Sequence, residues 1–100
     1  MEIHIFLSQK DSVALHGEKD LPPPSGVSVT TPLKEDVNIA QYVEFTLQYA
    51  SAVSASVIAT WLYNKFTKHG VKKIRINRTE VNVDQGEIKR ILMEEIEMEN

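Results

Sequence analysis

The chain has 100 residues, 42% hydrophobic and 25% charged, which is the ordinary globular range and argues against disorder. A formal net charge of −3 implies no general affinity for nucleic acid or anionic lipid. No cysteine is present, which excludes a thiol nucleophile, a cysteine-ligated zinc and an iron–sulfur cluster, and fits a reducing cytoplasm.

At this length, with no internal repeat, residues 1–100 are expected to form a single domain with a real core. "MEIHIFLSQKD" has no basic n-region and too short an apolar run for a signal peptide. Its "EIHIFLS" alternates, with Ile3, Ile5 and Leu7 on one face and Glu2, His4 and Phe6 on the other, the period of a β-strand. Residues 8–36 are the least regular part. "SQKDSVALHGEKD" has room for one helical turn, "LPPPSG" excludes helix and central strand, and "VSVTT" reads as a short strand. The region is either an ordered connection with a polyproline kink or a flexible loop.

A long helix is expected next, capped either by Thr31 with Pro32 following or by Asp36, and running to Gly70. Gly70 supplies a left-handed C-terminal cap, with Lys65, Lys68 and His69 at the negative end of the dipole. From about residue 37 to 69 such a helix spans roughly 50 Å, long enough to suggest a kink or break inside it. "KKIRINRTEVNV" then reads as a β-hairpin turning at Asn77 and Arg78. Ile74 faces Val81, Ile76 faces Thr79, and Arg75 opposes Glu80. The last helix has Asp84 as cap and Glu87 three residues on, with Ile88, Ile91, Leu92 and Ile96 as its apolar stripe. Its acidic end, Glu94, Glu95, Glu97 and Glu99, opposes the dipole and predicts fraying.

The predicted architecture is therefore α+β: a small sheet of the N-terminal strand and the C-terminal hairpin, packed with one long central helix and a C-terminal helix.

Inside the long helix, "FTLQYASAVSASVIATWLYN" (residues 45–64) carries no charge. It is long enough to span a membrane, but Gln48, Asn64 and many hydroxyl side chains dilute its hydrophobicity, so a span is disfavoured. Small residues spaced by four, such as Ala52–Ser56–Thr60, allow close helix approach. A helix apolar or small nearly all round needs cover on more than one side, within its own domain or from a second chain. Burial against a partner is favoured, and the expected surface is Tyr49, Ala52, Ser56, Thr60 and Tyr63.

His4, His16 and His69 show no metal-ligand spacing, and Ser51, Ser54 and Ser56 sit in the apolar run without a base. No catalytic residues, metal or cofactor are expected. "KFTKHGVKKIRINR" is a run of cations without an acid, from which Lys72, Lys73, Arg75 and Arg78 form a candidate basic patch. It suits phosphates, lipid headgroups or an acidic partner. The competing reading is a solvated surface offset by the acidic last helix, and nucleic acid is disfavoured because no aromatic is interleaved between Lys72 and Arg78.

"MEIHIFLS", "LPPPSGV", "ATWLYNKF" and "KIRINRTEVNVDQGEIKRILMEEI", in that order, resemble the layout of small bacterial proteins called effector-associated constant components. That family has an N-terminal strand, a proline-rich connection, an alanine-rich helix with a late tryptophan, a strand pair and a capped last helix. The hairpin and cap of residues 74–92 are the best part of the likeness. Two departures stand out: Asn77 and Arg78 occupy a turn where the family usually shows glycine, and the helix is richer in serine and threonine. The resemblance implies a non-enzymatic accessory component of bacterial conflict or antiviral defence systems, docking to an effector or signalling partner. The alternative is an immunity or antitoxin protein that neutralises a toxin by direct binding, with Glu94, Glu95 and Glu97 as its contact. The expected partners are thus a protein (effector, signalling component or toxin) or a second copy, in the cytoplasm.

Overall fold

The first strand in the sequence lies at the centre of the sheet. A computed structural model describes residues 1–15, 21–30 and 42–98 of the chain. Its elements are β1 (Glu2–Ser8), β2 (Val27–Thr30), β3 (Tyr42–Tyr49), α1 (Ala55–Lys68), β4 (Lys73–Ile76), β5 (Thr79–Asn82) and α2 (Gln85–Met98), with a 3-10 turn at Ser12–Ala14. The strand order is β2-β3-β1-β4-β5, and every neighbouring pair is antiparallel.

The α+β architecture is as expected, with N-terminal and C-terminal strands in one sheet packed against helices. The long central helix is corrected. Residues 42–49 form β3, and the helix begins only at Ala55. In "YVEFTLQY" the residues Val43, Phe45, Leu47 and Tyr49 alternate with Tyr42, Glu44, Thr46 and Gln48, and β1 pairs with it along its whole length, from Glu2↔Gln48 to Ser8↔Tyr42. The small residues that follow make a turn, closed by Val53 N–H donating to the Ala50 carbonyl at 3.0 Å. Ser54 then caps α1, its hydroxyl accepting from Val57 N–H at 3.3 Å. The alternative helix starts at Thr31 and Asp36 lie outside the described residues.

The far end of α1 is as the sequence predicts. Gly70 takes φ +72°, its N–H donates to Thr67 at 3.1 Å, and Val71 N–H reaches back to Phe66 at 2.9 Å. That pair of bonds is the Schellman arrangement, sealed by contact between buried Val71 and Phe66. The hairpin register is also as predicted, with Ile74↔Val81, Arg75↔Glu80 and Ile76↔Thr79, and Asn77 in the left-handed region at φ +54°. At the head of α2, Asp84 accepts from Glu87 N–H at 3.0 Å, and Glu87 accepts from Asn82 N–H at 3.3 Å. The Asp84 half of the expected capping box is present, whereas the glutamate reaches past the cap residue to the main chain of β5 instead of back to the cap's own N–H.

One face of the sheet carries Ile3, Ile5, Leu7, Phe45, Leu47, Ile74, Ile76 and Val81, all buried. Ile58, Leu62 and Phe66 of α1 and Ile88, Ile91 and Leu92 of α2 complete a single cluster with them. Each such side chain contributes about 1.5–3 kcal/mol through burial, so this layer holds the fold together. Both helices therefore lie on one side of the sheet. The expected turn and short strand within residues 8–36 appear as Ser12–Ala14 and β2, while residues 16–20 and 31–36 lie outside the described residues. The proline segment is tied to α1 by Trp61, whose indole N–H donates to the Leu21 carbonyl at 2.7 Å. Among the described residues, no helix is long and apolar enough to cross a membrane.

Candidate binding face and cleft

Strand alternation puts Glu2, His4, Phe6 and Ser8 of β1 on the sheet face away from the helices. The registers align them with neighbours in rows. Phe6 lies between Glu44 of β3 and Arg75 of β4, and Arg75 in turn opposes Glu80. Ser8 lies beside Tyr42, and His4 beside Thr46. These side chains are half-buried or exposed. His4 is engaged by carboxylates, with Nδ1 2.7 Å from Glu44 and Nε2 3.6 Å from Glu2. The main-chain N–H of His4 donates to the Asn77 side-chain carbonyl at 3.0 Å, and Asn77 donates to Glu95 at 2.6 Å. Among the described residues, no group of three or more His, Cys, Asp or Glu is placed to hold a metal ion.

At one end of this face the sheet opens. β1 and β4 pair only at Ile5↔Ile76 and Phe6↔Arg75, and beyond Phe6 the two strands part. Local bonds mark the two diverging ends. β1 turns away after Ser8, with Asp11 N–H donating to the Ser8 carbonyl at 3.0 Å. The Lys72 end of β4 is held instead to the far side, its carbonyl accepting from Val83 N–H at 2.9 Å. The result is an open cleft of about 430 Å³ whose floor includes Ile74. Lys10, Lys72, Lys73 and Arg75 line it as cations, and Asp11 and Glu80 as acids, a local balance of four positive to two negative charges. Among the described residues, Lys10, Lys72 and Lys73 form no ion pair. Tyr42 reaches over small Ser8 so that its ring meets the Arg75 guanidinium at 4.9 Å, a cation–π contact that orients both at the rim.

The candidate basic patch is thus partly assembled. Lys72, Lys73 and Arg75 share the cleft, whereas Arg78 lines a separate shallow hollow with Glu2, His4, Phe6, Glu44 and Asn77. Lys65, from the same cationic run, is buried beneath Trp61, its ammonium 6.0 Å from the ring centre. Two cleft residues have no signal in local sequence. Lys10 joins through the adjacency of β1 and β4, and Tyr42 belongs to the segment that reads as helix.

The expected partner surface does not form one strip. Tyr49 is buried at the end of β3, and Ala52 is exposed in the turn before α1. Ser56, Thr60 and Tyr63 lie on α1, where Thr60 accepts from Gln85 Nε2 at 2.9 Å and so faces α2. Of the acidic residues expected to contact a toxin, Glu94 pairs with Arg90 at 3.3 Å and Glu95 accepts from Asn77. No protein-family model, curated protein or solved structure matches the chain.

Proposed function

We propose that the chain is a non-enzymatic interaction module, an accessory component of a bacterial conflict or defence system, which engages a protein partner through the sheet face opposite its helices. The observation that carries this reading is the one-sided layering: both helices pack on one face, and Phe6 and Tyr42 stand among mixed charges on the other. An aromatic centre with a charged surround is the composition of a protein-binding patch. The layout resemblance supports the accessory role and the bacterial setting. The non-enzymatic part rests on the sequence, which has no cysteine and no motif pairing a nucleophile with a base.

The test is a detergent-free purification of the tagged chain from its source cells, with the native mass of the eluted species. Wild type and Ser56→Leu should each retain a stoichiometric second protein, and Phe6→Asp should lose it while keeping a wild-type circular dichroism spectrum. Loss with Ser56→Leu but not with Phe6→Asp would move the interface to the exposed side of α1. A homo-oligomer with no second protein would overturn the reading.

A further inference from the structure

The geometry points to a ligand class for the cleft: we infer that the opening between β1 and β4 docks an extended acidic segment of a protein partner. This inference rests on the interaction-module reading. Charge gives the first argument. The whole chain is net negative by three, yet the cleft gathers four cations against two acids. Three of those cations, Lys10, Lys72 and Lys73, form no ion pair among the described residues, so an incoming carboxylate displaces no partner among those residues.

Shape gives the second. Where β1 and β4 part, the positions Leu7 and Ile74, then Ser8 and Lys73, are no longer ladder partners. The side chains of Leu7 and Ile74 remain buried beneath, so the parting opens the face without opening the core. An extended chain lies naturally along such a divergence between strands, offering main-chain groups to the strands and alternate side chains to the rim. Its carboxylates at every second residue then share one side, facing Lys73 of β4, Lys72 just before it and Lys10 from the turn after β1.

Other anions suit the cleft less well. A free phosphate favours an enclosed cradle of main-chain N–H groups or a forked arginine, whereas here the lysines are exposed and Arg75 is already seated on Tyr42. A nucleic acid strand favours bases stacking on open aromatic faces, and the Tyr42 ring is already partnered by Arg75.

The test uses the full-length chain and a fluorescent six-residue peptide of alternating Glu and Thr, with a Lys/Thr peptide, oligo-dT and inorganic phosphate as comparators. The expected result is saturable binding of the Glu/Thr peptide that weakens at least tenfold in the double variant Lys72→Glu/Lys73→Glu. Lys10→Glu, on a different element, should weaken it several-fold, and raising salt from about 50 to 200 mM should weaken the wild type. Binding unchanged by both variants, absent in the wild type, or exceeded by oligo-dT or phosphate would overturn the inference. The partner recovered from source cells separates the two levels. Its loss in the double variant supports the cleft, and undiminished recovery overturns the cleft while the module reading stands. Absence of any partner in the wild type fails the module reading itself.

Discussion

Asn77 performs three tasks with one side chain and one unusual backbone angle. It occupies the left-handed region at φ +54°, which a β-branched residue would resist. Its amide oxygen accepts from His4 N–H, and its main-chain N–H donates to the His4 carbonyl at 2.7 Å, so it continues the β1–β4 pairing past Ile76. Its amide nitrogen donates to Glu95 of α2. Asn77→Gly suits the backbone better but deletes both side-chain bonds, each worth about 0.5–1.5 kcal/mol and more where a charged acceptor is involved. The variant should lose about 1–2 kcal/mol, read as a lower urea midpoint with unchanged slope. An unchanged or higher midpoint would mean that the backbone angle alone explains asparagine here. The glycine that the resembling family usually places in this turn would then be an equivalent solution.

At the scale of elements, the proline segment is held to α1 by a partly buried hydrogen bond, Trp61 Nε1 to the Leu21 carbonyl. Trp61→Phe keeps most of the buried ring and removes the donor. We expect a loss of about 1 kcal/mol, with faster amide exchange confined to residues 21–30; uniform loss of protection across the sheet would refute a local tether. The elements also differ in how far they can be read from sequence. β1, the hairpin with its register, the Gly70 stop and the apolar stripe of α2 were legible, because each pairs one clean period with its own punctuation. β3 was not, for a reason of arithmetic. Val43 and Leu47 are four residues apart, and four is both a helical neighbour distance and twice the strand period. The uncharged run then joins the strand to α1 without proline or glycine, so only Ser54 marks the true start. The candidate site followed the same division. Lys72, Lys73 and Arg75 were legible as a local cluster, while Lys10 and Tyr42 required knowledge of which strands are neighbours.

For the molecule as a whole, β1 is the single link between the two halves of the sheet, β2-β3 on one side and β4-β5 on the other. Ile5 and Phe6 are the residues where the halves meet, and of the two Ile5, opposite both Phe45 and Ile76, is fully buried. Ile5→Ala should cost about 2–5 kcal/mol, and unfolding should remain one transition by both tryptophan fluorescence and circular dichroism. Separate transitions by the two probes would show that the halves are independent. Trp61 suits this test because it lies on the shared helical layer.

The central place of β1 also sets the order in which the chain can be completed. Ile5 must find Phe45 on one side and Ile76 on the other before either half acquires its neighbour. Such non-local pairing requires large loops to close early, and it slows folding relative to helical proteins of similar size. Until β1 inserts, β3 and β4 each present an unpaired edge, the form of surface that recruits strands from other molecules. During synthesis β1 and β3 both emerge before β4, so the β1–β4 pairing is the last of the two that can form. Until β4 docks, the free edge of β1 stays open, and aggregation competes with folding over the step that joins the two halves of the sheet.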